Sequence, residues 1–323
     1  MEEKKDEQTQ VENASSQEVD LAYKNGRERV KSGALGFFIG LAVIVPGVSG
    51  SAVAIIFGLY EKFLYALGNI LKKFKKCFLF LLPILVGGIF GFVGGFFGVK
   101  KLIDILPFAI VALFGGLMLG AYPAVADRIK GEKINAPRII LFILGLLIPV
   151  AASLVSVFVY GGNKSLDNLS VRHYLLFLLL GYLVAITQIV PGLSATALLM
   201  VFGYFKSIMY SVSLTYWKSN PQVFIVYVCL AVGFAVGLIT VSKLMSNVLE
   251  RHKTPSFFCI CGLSLGAAVT MFFNPDIYKV YTDWAINGLN VWELLLGVVL
   301  FIGGIFAAYA LVKTERRKNS IPS

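Results

Sequence analysis

The sequence predicts an all-α, polytopic membrane protein made of two inverted-topology repeats. Each repeat is a re-entrant helical hairpin followed by three transmembrane helices. Three observations predict this. Apolar residues make up 57% of the 323-residue chain and charged residues 15%, where soluble domains carry roughly 25% charged residues. Several apolar runs exceed the ~18 residues that mark a membrane-spanning helix, and they lack the alternation of barrel strands. The same landmarks then occur twice in the same order, centred on Pro46-Gly47-Val48-Ser49-Gly50-Ser51 and Pro191-Gly192-Leu193-Ser194-Ala195-Thr196.

Residues 1–32 read as a cytosolic tail. Its start is polar and mostly acidic, the opposite of a signal peptide, which opens basic and turns apolar. It closes on a basic collar holding Arg27, Arg29 and Lys31. Residues 33–68 form the first hairpin. Leu35 to Val45 rises only ~16 Å, about half the hydrocarbon core. Proline and glycine side by side then stop the helix, and a small hydroxyl two residues later caps a new one. The exit lands on Lys72-Lys73-Phe74-Lys75-Lys76, as basic as the entry. Irregular backbone at membrane depth demands surrounding protein or a wet cavity.

Spans over 78–99, 105–126 and 139–160 complete the first repeat. Gly87, Gly88, Gly91, Gly94, Gly95 and Gly98, then Gly116 and Gly120, give the four-residue spacing of close helix packing. A polar linker, 161–172, separates the halves. The second repeat, 173–312, holds a hairpin over 174–214 and spans over 223–245, 256–273 and 292–312. A short cytosolic tail, 313–323, ends the chain.

Displaced by 145 residues, Gly36 falls on Gly181, Pro46 on Pro191, Gly47 on Gly192, Ser49 on Ser194, Ser51 on Thr196 and Gly58 on Gly203. A displacement of 142 sets Gly91 on Gly233 and Gly95 on Gly237, and 146 sets Gly116 and Gly120 on Gly262 and Gly266. Ordered landmarks of this kind mark an internal duplication. Three spans per repeat is odd, so the second repeat is inverted. With both termini inside, 22 of the 29 lysines and arginines fall on inner segments and 7 on outer ones, as the positive-inside rule requires. Trp217, Trp284 and Trp292 all fall at the outer interface. The net charge of +11 then belongs to cytoplasmic loops and anionic membrane lipids rather than to nucleic-acid binding. Cys77, Cys229, Cys259 and Cys261 read as packing cysteines, and Cys259-Ile-Cys261 lacks zinc-site spacing. His173 and His252 read as interfacial. No metal or cofactor motif is present.

Broken helices meeting in inverted repeats are the architecture of transporters. A helix restarting inside the membrane presents unpaired amides and partial positive charge to the turn before it. Two such ends make a site for an anion, most naturally a phosphate. The predicted site is Pro46, Gly47, Ser49, Gly50 and Ser51 with Pro191, Gly192, Ser194, Ala195 and Thr196. Gln188, Thr187, Arg29, Lys31 and Arg172 are accessory candidates. No carboxylate flanks the breaks, which argues against a bare cation site.

These residues also carry a resemblance. Gly36-x-x-x-Gly40 followed by Ile-Val-Pro46-Gly47-Val-Ser49-Gly50-Ser51 and Phe57-Gly58-Leu-Tyr60-Glu61 resembles the opening of the bacterial and archaeal polyprenyl-phosphate transporter family. Ile-Val-Pro191-Gly192-Leu-Ser194-Ala195 and Phe202-Gly203-Tyr204 resemble its second signature. The likeness spans about residues 30–312. It implies a flippase of the bacterial cytoplasmic membrane that returns the carrier lipid undecaprenyl phosphate from the outer to the inner leaflet for cell-envelope polymer synthesis. Ala195 stands where the first copy has Gly50. Two alternatives stay open. One is a polyprenyl-pyrophosphate phosphatase, although hydrolysis needs a base and a charge clamp and no Glu, His or Arg lies beside the breaks, so no catalytic residue is predicted. The other is a transporter of a small soluble anion. A coupling ion is left unspecified: no acidic residue sits in the middle of a span, and Asp104, Asp127 and Glu61 near helix ends are the candidates.

Overall fold

The computed structural model describes residues 19–44, 50–158, 164–191, 193–273 and 275–319. All regular structure among them is helical. In chain order the helices are α1 (Gly26–Ile44), α2 (Gly50–Ile56), α3 (Tyr60–Gly68), α4 (Phe74–Gly94), α5 (Lys100–Ile105), α6 (Pro107–Ala126), α7 (Ala136–Phe158), α8 (Val171–Ile189), α9 (Ala195–Val201), α10 (Phe205–Ser211), α11 (Leu214–Ser219), α12 (Val223–Arg251), α13 (Lys253–Thr270), α14 (Pro275–Asn287) and α15 (Val291–Asn319). A π-helical turn, Gly95–Val99, joins α4 to α5. Seven helical stretches are long and apolar enough to cross a membrane: α4, Pro107–Ile129, α7, α8, α12, Lys253–Asn287 and Val291–Thr314. Their outer faces carry large exposed side chains such as Phe90, Phe158, Val299 and Phe306, an arrangement suited to a lipid surrounding. The chain is a multi-pass helical membrane protein. α8, which the sequence assigns to the second hairpin, is by length and composition one of the seven.

Four helix pairs dominate the packing: α1 with α4, α8 with α12, α6 with α15, and α7 with α13. Glycines set each contact. A Cβ on Gly36 would collide with the Ile84 carbonyl and one on Gly87 with the Gly33 carbonyl; in the second half, Gly181 meets the Leu230 carbonyl and Gly233 the Leu178 carbonyl in the same way. Gly116 and Gly120 lie on the carbonyls of Phe301 and Ile305, and Gly262 and Gly266 on those of Phe142 and Leu146. Backbones approach this closely only where no side chain intervenes. Where residue order alone sets Gly91 on Gly233, the contacts set Gly87 on Gly233 and Gly91 on Gly237. The register of α4 against α12 therefore differs from the sequence alignment by one helical turn. The glycine ladder of α4 has rungs four residues apart, so a slip of one turn keeps every landmark matched.

The helix ends recur as well. Asn25 Oδ1 accepts the Glu28 amide at 3.0 Å ahead of α1, and Ser170 caps α8 in a reciprocal box with His173. α2 ends at Gly58 and α9 at Gly203, with φ of 66° and 80°. Each glycine amide bonds three residues back, to Ile55 and Met200, and the next amide bonds five back, from Leu59 to Ala54 and from Tyr204 to Leu199. This is the Schellman stop, and its left-handed residue favours glycine.

Candidate functional site

The first break, residues 45–49, lies outside the described residues, and with it the predicted site residues Pro46, Gly47 and Ser49. Gly192 of the second break is also outside them. The flanking residues are placed. Val190, ahead of proline, is extended at φ −84° and ψ 116°, as the proline ring demands of its neighbour. That geometry ends α8 and turns the chain into α9.

The two restarts meet. Gly50 opens α2, and its amide donates to Gln188 Oε1, 3.3 Å away on α8. Ala195 opens α9, with the Ser194 and Thr196 hydroxyls 2.8 Å apart. Gly50, Gln188, Ser194, Ala195 and Thr196 together line a cavity of ≈ 300 Å³, walled otherwise by apolar side chains including Ile39, Phe63, Phe234 and Leu238. Five of the predicted residues, from both halves of the chain, thus share one space. The polar groups it offers are neutral: a backbone amide, a carboxamide and two hydroxyls. Among the described residues none of its lining is charged.

Other candidates lie elsewhere. Ser51 is fully buried and Pro191 is buried, behind the lining. Thr187 is buried with its hydroxyl donating to the Val184 carbonyl at 2.7 Å. Arg172 is exposed in the first turn of α8, and Lys31 is half-buried near the start of α1. Arg29 lines a different cavity. Of the acidic candidates, Glu61 pairs with Arg128 at 3.1 Å and Lys253 at 3.8 Å, and Asp127 pairs with Arg316 at 2.6 Å.

Two functional features escape the sequence reading. The apolar wall gives no periodic signal, because membrane helices are apolar on every face. Tyr60, buried at the start of α3, donates to the Ile189 carbonyl at 2.9 Å and so ties α3 to the end of α8. Its place two residues after the Gly58 turn was the available clue. Glu293, also buried, accepts the Phe108 amide at 2.8 Å across the α6–α15 pair.

The fold and cavity define a class: a multi-pass membrane protein in which the helix restarts at Gly50 and Ala195 line one half-open, mostly apolar pocket with neutral hydrogen-bonding groups. Residues 39–290 match the family described as VCA0040-like, undecaprenyl phosphate translocase-like, and the chain belongs to that family. It is similar to the polyprenyl-phosphate transporter of Staphylococcus aureus (strain NCTC 8325 / PS 47), 28% identical over 84% of this chain and 95% of that protein. It is also similar to the polyprenyl-phosphate transporter of Vibrio cholerae serotype O1 (strain ATCC 39315 / El Tor Inaba N16961), 26% identical over 78% of this chain and 79% of that protein. No solved structure matches the chain.

Proposed function

We propose that the protein carries polyprenyl phosphate across the bacterial cytoplasmic membrane, from the outer to the inner leaflet, and holds the phosphate in the cavity between the two breaks. The observation that carries this reading is the convergence of Gly50, Gln188, Ser194 and Thr196 on one pocket walled by Ile39, Phe63, Phe234 and Leu238. A lipid phosphate needs both kinds of surface: donors for the head and apolar contact for the first isoprene unit. The Ser194 and Thr196 hydroxyls and the Gln188 carboxamide supply donors, and a phosphate supplies strong acceptors. A soluble anion has no use for the apolar wall. The family and both relatives are transporters by name, not enzymes, and the pocket lining offers no general base among the described residues.

Neutral donors suit transport. A cation clamp would hold a dianion tightly, whereas conduction needs a site favourable enough to enter and weak enough to leave. Two inverted repeats with re-entrant hairpins account for the packing. If α6 corresponds to α13 and α7 to α15, the α6–α15 and α7–α13 pairs are one contact seen twice, which is what a two-fold relation between the halves would produce. The distribution of lysine and arginine supports both termini being cytoplasmic.

The test is a leaflet assay. Purified protein in liposomes should move polyprenyl phosphate between leaflets without releasing inorganic phosphate. Lipid movement no faster than in protein-free liposomes overturns the reading, and phosphate release favours the phosphatase.

A further inference from the structure

A buried helix end leaves the carbonyls of its last turn without their helical donors. The end of α8 is such a place. Ile189 is 1% exposed, and Val190 after it is extended, at φ −84° and ψ 116°, so the chain leaves the helix directly behind it. The Ile189 carbonyl takes a donor from the other half of the chain. Tyr60, buried at the start of α3, donates its hydroxyl at 2.9 Å. The bond is buried, where water is no substitute for either partner.

Two neighbours connect this bond to the cavity between the restarts. Gln188 precedes Ile189, and its Oε1 accepts the Gly50 amide at 3.3 Å. Phe63, one turn after Tyr60 on α3, lines the same cavity as Gln188 and Ile189. α3 thus walls the cavity with one side chain and holds the end of α8 with another.

The chemistry of a carboxamide makes its orientation matter. One end accepts and the other donates, while a phosphate presents acceptor oxygens. Gln188 serves a phosphate through Nε2 and opposes it through Oε1. The Gly50 amide is a donor, so its bond to Oε1 selects the orientation that a phosphate needs. That bond is longer than the usual ~2.9 Å, and a small shift of the end of α8 breaks it. Tyr60 fixes that end. At the matching position of the second half, displaced by 145 residues, stands Phe205, which has no hydroxyl.

We propose that Tyr60 is a positioning residue for the lipid phosphate. By holding the Ile189 carbonyl it keeps Gln188 in register with Gly50, with Oε1 on the Gly50 amide and the Nε2 donors turned to the ligand. Tyr60 acts through Gln188 and not on the phosphate itself. The proposal rests on the carrier reading given above and deepens it by naming what orients a headgroup donor.

The experiment titrates farnesyl monophosphate into the full-length protein in phosphatidylcholine nanodiscs and follows heat of binding, with protein-free nanodiscs subtracted. Tyr60→Phe should weaken binding about fivefold, the worth of one hydrogen bond. Gln188→Ala should weaken it about tenfold. The double variant should bind no more weakly than Gln188→Ala alone, because without the carboxamide there is nothing left for Tyr60 to orient. A purely structural role would weaken binding on both backgrounds. Unchanged affinity in either single variant, or a fivefold loss that persists on the Gln188→Ala background, overturns the positioning role while the carrier reading stands. No binding to the wild-type protein overturns both. Gln188→Glu tests the orientation without touching Tyr60, and so also serves where Tyr60→Phe does not yield monodisperse protein. It keeps an acceptor for the Gly50 amide and turns the donor end into a second acceptor, so it should bind more weakly than Gln188→Ala. Equal or tighter binding overturns the proposal.

Discussion

Gly50 and Ala195 open short helices of seven residues each, both ending in a left-handed glycine, and both lining one cavity. Their surroundings differ. Gly50 is pressed between Ile39 and Gln188, so that a Cβ there would lie 3.1 Å from Ile39 Cγ2 and 3.4 Å from Gln188 Oε1. Ala195 already carries its methyl and is half-buried. The exit arm after Gly50, α3, packs along α12, with Gly68 against the Lys243 backbone and Tyr60 bonded to Ile189. The exit arm after Ala195, α10, leaves Met209 and Tyr210 exposed. The α1–α4 and α8–α12 pairs thus share one packing geometry, while the two restarts differ: Gly50 is buried and Ala195 is half-buried.

Four experiments would break or sharpen this comparison. The largest effect is expected where the halves are alike. Gly87→Ala and Gly233→Ala each force a methyl into a carbonyl, and each should cost about 3 kcal/mol or more, read as lost thermal stability in detergent. Losses that differ by more than about 1 kcal/mol would contradict equivalent packing. Next is the bridge between the breaks. Gln188→Ala removes the partner of the Gly50 amide and a candidate phosphate donor, and should slow lipid translocation roughly 10- to 100-fold with the protein still folded; an unchanged rate removes Gln188 from the site. The third compares the breaks directly. Gly50→Ala should cost about 1–2 kcal/mol through overpacking against Ile39, while Ala195→Gly should cost under about 1 kcal/mol. Equal costs would mean that both breaks are wedged alike. The smallest is Tyr60→Phe, which strands the Ile189 carbonyl and should cost about 1 kcal/mol, against no measurable change for Phe205→Tyr at the matching position of the second arm.

How much of this was legible beforehand depended on whether a signal was local. Pro46-Gly47 and Pro191-Gly192 announce breaks because proline and glycine act on their own backbone, and Gly58 and Gly203 announce turns for the same reason. Gln188 stood out as a lone carboxamide in an apolar run. Which glycine of α4 corresponds to which of α12 was not legible, since only the facing carbonyls on α1 and α8 decide which rung of the glycine ladder is used. Nor was the burial of Glu293, whose partner Phe108 is 185 residues away. Arg29, Lys73 and Lys76 read in sequence as two basic collars, and only the packing of α1 against α4 gathers them around one cavity.

The exchange of partners between the halves also sets a timetable for biosynthesis. The α1–α4 pair can close as soon as residue 94 has left the ribosome. α6 cannot close on its partner until α15, which follows all the other described helices, is made. With 185 residues separating Phe108 from Glu293, and synthesis at ~5–20 residues per second, α6 waits roughly ten to forty seconds in the bilayer beside the insertion machinery. A nascent chain stalled after α13 would therefore hold three finished pairs and one unmated helix, whose bare glycine face is the surface that membrane quality control would meet first.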